Sequence, residues 1–161
     1  MSSAATTSSG GQGGAAASQA YVTLMLGDQL CGVPVLAVRD VLAKQPIARI
    51  PLAPPEVAGN LNLRGRIVTA IDLRQRLHLP KRAPDAGAMS VVTEQGSELY
   101  ALLVDQVSEV VTLKAADMER NPPTLPPVWA ENSRGIYRVS ERLMVVLDVD
   151  KLLQIDTGMA A

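Results

Sequence analysis

Two stretches of this chain recur in the same order and without internal gaps, and that duplication limits the fold more than any other feature. Leu30 to Val41 (LCGVPVLAVRDV) lines up with Leu99 to Val110 (LYALLVDQVSEV), 69 positions later. Leu and three Val recur at matched places, and Asp40 meets Glu109. Gly59 to Leu77 lines up with Gly135 to Leu153, 76 positions later. There Gly59 meets Gly135, Arg66 meets Arg142 and Asp72 meets Asp148. The second half is therefore longer by seven residues, the difference between the two offsets. The excess falls near Asn121-Pro122-Pro123-Thr124-Leu125-Pro126-Pro127, which predicts an extended surface loop. Two similar units sharing one core are expected, over about 20–80 and 88–155, with Arg82 to Gly87 as the link.

Within each half the signals are those of short strands. Tyr21 to Leu26 and Leu30 to Leu36 flank Gly27-Asp28-Gln29; Met89 to Thr93 and Glu98 to Val104 flank Glu94-Gln95-Gly96-Ser97. Leu61-Asn62-Leu63 and Arg66 to Ile71 flank Arg64-Gly65, a tight turn in which glycine can take positive φ. Asp72 is placed to cap a short helix whose Leu73 and Leu77 share a face, and Asp148 to cap a matching helix carrying Leu152 and Leu153. Short, numerous strands in two similar sets predict an all-β protein of two small barrels side by side.

Composition narrows the partners. Fifteen Lys and Arg against sixteen Asp and Glu leave a net charge of −1, with no basic excess for a phosphate backbone, so nucleic acid is not an expected partner. There is no Phe and one Trp, so the core must come from Val, Leu, Ile, Ala and Met. Residues 1–19 are almost wholly Ser, Ala, Gly, Thr and Gln and are expected to be a disordered tail, with a second short tail at 156–161. No apolar run approaches the ~20 residues of a membrane span, so direct membrane insertion is not expected and a cytoplasmic protein is.

The usual chemistry is missing from the sequence. Cys31 is the lone cysteine and reads as a small buried hydrophobe. His78 is the only histidine, beside Leu77 and Leu79, and reads as structural. No nucleophile elbow, phosphate-binding loop or zinc-protease motif occurs. Asp105 and Glu109 are an acid–base pair only in principle, because Asp40 repeats the place of Glu109 and argues for a structural role. No catalysis, cofactor or metal site is expected; a binding module is.

Gly59-Asn60-Leu61-Asn62-Leu63-Arg64-Gly65, followed by an apolar strand and Asp72-Leu73-Arg74, resembles the signature of CheW-type chemotaxis coupling proteins. Arg49-Ile50-Pro51, Val38-Arg39-Asp40-Val41 and Val104 to Val110 are similar to that family too, so the resemblance spans about 20–155. Asp40 stands where the family commonly carries Glu. The resemblance implies two intertwined five-stranded β-barrels. It implies an adaptor coupling the cytoplasmic tips of methyl-accepting chemotaxis receptors to a CheA-type histidine kinase, at receptor arrays on the inner face of the membrane. Receptor contact is implied at Val38, Asp40, Gly59, Leu61, Leu63, Arg64, Gly65 and Val107, with Asp40 as the ion-pair partner of Arg64; no kinase-contact residue is assigned. The same fold could scaffold a non-flagellar chemosensory system; a small-ligand-binding barrel is the reading from another class.

Overall fold

Each hairpin forms where two apolar strands meet at residues able to turn the backbone back. The computed structural model describes residues 17–83 and 88–154. β1 (Ser18–Leu26) and β2 (Gln29–Pro34) join through Gly27, at φ +61°. β6 (Met89–Gln95) and β7 (Glu98–Val104) join in the same way through Gly96, at φ +63°. β4 (Val57–Leu63) and β5 (Arg66–Asp72) join through Arg64 and Gly65, and β9 (Ser133–Val139) and β10 (Arg142–Leu147) through Ser140 and Glu141. All four of those turn residues have positive φ, the geometry that matches the twist of the flanking strands. β3 (Asp40–Leu42) and β8 (Gln106–Lys114) complete the set.

The strands are exchanged between the halves. One sheet has the order β9-β10-β2-β1-β8 and the other β3-β6-β7-β5-β4. Each therefore combines a hairpin from one half with three strands from the other. The exchange is sealed by parallel ladders: β10 on β2, with Val145 opposite Cys31, and β5 on β7, with Ala70 opposite Ala101. The side-by-side arrangement expected from strand spacing is thus corrected to an intertwined one, in agreement with the resemblance. Beyond the edge strands, Glu119 exchanges two hydrogen bonds with Ile136 (2.8 and 2.9 Å) and Ala48 exchanges two with Asn60 (both 2.8 Å). These bridges bring the two edges of each sheet together.

Gly59 and Gly135 make the bridges possible. Their φ values are +147° and +150°, and a Cβ on either would lie 2.1 Å from the Ala48 carbonyl oxygen or 2.7 Å from that of Glu119. Glycine is the residue that lets the closing segment approach this closely.

Alternation along the strands divides the interior into three. On β7, Leu99, Ala101 and Leu103 face the interior of their own sheet, whereas Leu102 and Val104 join the core between the sheets. On β10, Met144 and Val146 pack with Tyr21 and Tyr137, while Val145 and Leu147 join the shared core. Strands apolar on both faces read as continuous apolar runs, as these do. The helices cap the shared core. In α1 (Leu73–Arg76), Asp72 accepts from the Arg74 N–H at 3.0 Å and Leu73 is buried, as is Leu77 at its C-cap. In α3 (Val149–Leu152), Asp148 accepts from the Lys151 N–H at 3.3 Å.

Two local expectations are corrected and two are refined. Ser18 and Gln19 are not tail but the start of β1, opposite Lys114 and Leu113; the backbone of β8 orders them despite their composition. The rest of that tail, residues 1–16, and the segment from 155 onward lie outside the described residues. Val35 to Ala37 is a 3₁₀ turn rather than strand, and it leaves Leu36 exposed. The proline-rich segment is a surface loop through Pro126, as expected, and it runs into α2 (Pro127–Glu131), which drives Trp129 into the shared core. Arg82, assigned to the link, is largely buried against Asp105.

Candidate functional site

The β4–β5 hairpin gathers most of the residues singled out from the sequence. Its tip is fixed by the Gly65 N–H donating to Asn62 Oδ1 at 3.0 Å. Arg64 Nη2 lies 3.1 Å from Asp40 Oδ2, the pairing expected for these two residues. The Arg64 side chain is 76% exposed and that of Asp40 28%. Such a pair contributes little to stability, roughly 0–1 kcal/mol. Its guanidinium keeps donors free for another protein.

Below the tip, Leu63 is half-buried on the interior cluster of the second sheet. Leu61 is buried in that cluster and forms part of the floor of a groove of about 400 Å³, with Ile47 and Asn62 beside it and Ile67 at its edge. Ile67 is 65% exposed and Val41, on the neighbouring β3, 37%. Neither was singled out from the sequence. Strict alternation would have found Ile67, because Val68 and Ala70 point inward on the same strand.

Gly59 and Leu61 are buried within the hairpin rather than exposed on it. Val38 and Val107, related by the 69-residue offset, both lie half-buried against the core between the sheets. Val107 belongs to β8 in the other sheet, so the structure does not bring it to the hairpin tip.

Asp105 has a different task. Arg74 holds it with two hydrogen bonds, Nε to Oδ1 at 2.8 Å and Nη2 to Oδ2 at 2.6 Å. Arg82 Nη2 donates to Oδ1 at 2.9 Å, and the Gly27 N–H to Oδ2 at 2.7 Å. One carboxylate thus ties α1, the segment after it and the β1–β2 turn together. The Arg74 hydrogen bonds, outweighing desolvation, hold its carboxyl down to about 2. A carboxylate so committed does not serve as a general acid at neutral pH. Glu109, its partner in the acid–base reading, is exposed on β8. Burial pushes the Cys31 thiol up, as suits a core residue. His78 is exposed at φ +60°, just past the end of α1. Among the described residues no group of three His, Cys, Asp or Glu is arranged to hold a metal. No described helix is long and apolar enough to cross a membrane.

Known proteins share this sequence pattern and fold. The chain is 29% identical over 136 residues to a chemotaxis protein CheW of Treponema pallidum, covering 81% of this chain and 79% of that one. It is 29% identical over 135 residues to a chemotaxis protein CheW of Klebsiella aerogenes, covering 84% and 81%. Its fold matches the crystal structure of the scaffolding protein TtCheW from Thermoanaerobacter tengcongensis with a TM-score of 0.77 at 25% identity, over 86% of this chain and 89% of that one. The CheW-like domain model matches residues 20–156, both halves included. With both exchanged sheets, both bridging glycines and the hairpin signature inside that match, the chain belongs to the CheW-like domain family.

Proposed function

We propose that this chain is a chemotaxis adaptor that couples the cytoplasmic tips of transmembrane receptors to a CheA-type histidine kinase and catalyses no reaction itself. It works in the cytoplasm, at receptor arrays on the inner face of the membrane. The observation that carries the reading is the Arg64–Asp40 pair at an exposed hairpin tip, beside the apolar groove edged by Ile67. The fold does not need an arginine there: the equivalent turn in the other half is made by Ser140 and Glu141. The receptor-facing set is Asp40, Leu63, Arg64 and Gly65, supported from within by Gly59 and Leu61. Val38 and Val107 pack half-buried on the core between the sheets.

The test is receptor-dependent kinase activation in a reconstituted mixture of kinase, receptor fragment and adaptor. Arg64→Ala is expected to fold with a stability change inside about ±1 kcal/mol, as at most surface sites. It is expected to lower activation severalfold by weakening the receptor contact. Full activation by a folded Arg64→Ala protein would reduce Arg64 to a turn residue.

A further inference from the structure

The two hairpin tips are built alike and finished differently. Arg64 and Ser140 occupy the same place in their halves with nearly the same backbone, at φ +50° and +49°. Asp40 and Glu109 are likewise equivalent. Val41, the residue after Asp40, pairs with Val91, and Val110, the residue after Glu109, pairs with Val22. In one barrel the gap between β3 and the tip is spanned by the ion pair of Arg64 with Asp40. In the other, Glu109 and Ser140 face a common cavity of about 390 Å³, floored by Met25, Leu30, Val111 and Val139. Serine is too short to cross such a gap.

Glu109 has no ion-pair partner among the described residues. Arg142 also borders the cavity, but its guanidinium is turned to the Asp28 carbonyl at 3.4 Å. Arg66 makes the same contact in the other half, to the Ser97 carbonyl at 3.4 Å, while Asp40 takes Arg64. The architectural arginine is thus present in both halves, and the spanning arginine in only one.

We propose that the Glu109–Ser140 cleft is a docking site for a segment of a partner protein that presents an arginine on a tight turn. The incoming guanidinium takes the place that Arg64 fills in the other barrel. Its stem lies on the apolar floor and its planar head meets the Glu109 carboxylate, the geometry arginine favours. The apolar surface of the cleft is that floor of Met25, Leu30, Val111 and Val139. The occupant is therefore basic at its tip and apolar beside it, and the negative carboxylate disfavours an acidic segment.

The experiment uses the full isotope-labelled chain and a backbone-cyclised peptide with the sequence of Leu61 to Ile67, which carries the required turn. Amide shifts are expected at Glu109 to Val111 and Val139 to Arg142. Replacing the peptide's turn arginine by alanine should weaken binding at least tenfold. Ser140→Arg should do the same with an unchanged circular dichroism spectrum, because the new side chain occupies the cleft from within. Glu109→Gln provides a second variant that removes the charge without filling the space, and it should weaken binding similarly. Absence of shifts at millimolar peptide, or shifts that survive both variants, would overturn the proposal. Self-association of the chain that Ser140→Arg abolishes would also overturn it, by giving the cleft to a second copy.

Discussion

The β4–β5 and β9–β10 hairpins follow the same path, yet one ends in Arg64-Gly65 and the other in Ser140-Glu141. The rest of the two halves shows the same mixture of copying and divergence. Both keep a glycine under the closing bridge, an aspartate cap on the following helix, and an arginine reaching a carbonyl of the adjacent turn. They differ at Asp105, held by Arg74 and Arg82, whose counterparts by position are Leu36 for the aspartate and Asp150 for Arg74. They differ again inside the barrels. Tyr21 and Tyr137 share a hydrogen bond of 3.4 Å in one, where Ser90 and Leu61 take their places in the other. What the fold requires twice is present twice; what only one end of the molecule requires is present once.

The comparison breaks most visibly at the glycines. Gly59→Ala is expected to cost about 3 kcal/mol and Gly135→Ala about 2 kcal/mol, because the added Cβ meets backbone at 2.1 Å in the first case and 2.7 Å in the second. Chemical denaturation measures both. Losses below ~0.5 kcal/mol would mean that the bridges are dispensable.

Asp105 tests the unshared part of the fold. Its carboxyl is held below the unfolded value, so the stability it contributes is complete above pH 3.8 and is lost as pH falls toward about 2. That contribution is on the order of 2 kcal/mol. Asp105→Asn should lower the melting midpoint at neutral pH and flatten the acid limb of the stability curve. An acid limb unchanged from wild type would assign that pH dependence to other carboxylates.

The smallest effect sharpens the comparison rather than breaking it. Arg66→Ala and Arg142→Ala remove equivalent, exposed contacts of 3.4 Å. Each should cost under about 1 kcal/mol, and the two should agree within experimental error. A marked inequality in calorimetry would show that one of them has a task beyond the copied one.

Much of the fold is legible in the sequence because it is local. Turn residues, alternation and an aspartate ahead of a leucine pair are decided within a few positions, so the hairpins and both caps can be read directly. The duplication pairs Gly59 with Gly135, but the reason for the pair lies in Ala48 and Glu119, more than ten residues upstream of each glycine. The exchange of strands is not legible in spacing, because Val145 meets Cys31 across more than a hundred residues and either sheet assignment satisfies the same alternation. Arg82 is hidden by its neighbours: a basic residue close to prolines reads as linker until Asp105 is placed next to it. Trp129 is hidden by the prolines ahead of it, although proline is well tolerated in the first turn of a helix. At the candidate site, the Arg64–Asp40 pairing can be named, but the groove beside it depends on which way Ile67 points.

The exchanged sheets also set a timetable for synthesis. The β1–β2 hairpin leaves the ribosome early, but β10 and β8, its neighbours on either side, come only after residue 105. Until then both edges of a strongly apolar hairpin are unpaired, the state in which strands find wrong partners. Local hairpin formation is fast, whereas ladders joined across most of the chain are slow to close. The nascent chain is therefore most vulnerable to aggregation in the interval after Pro34 has emerged and before Leu147 follows.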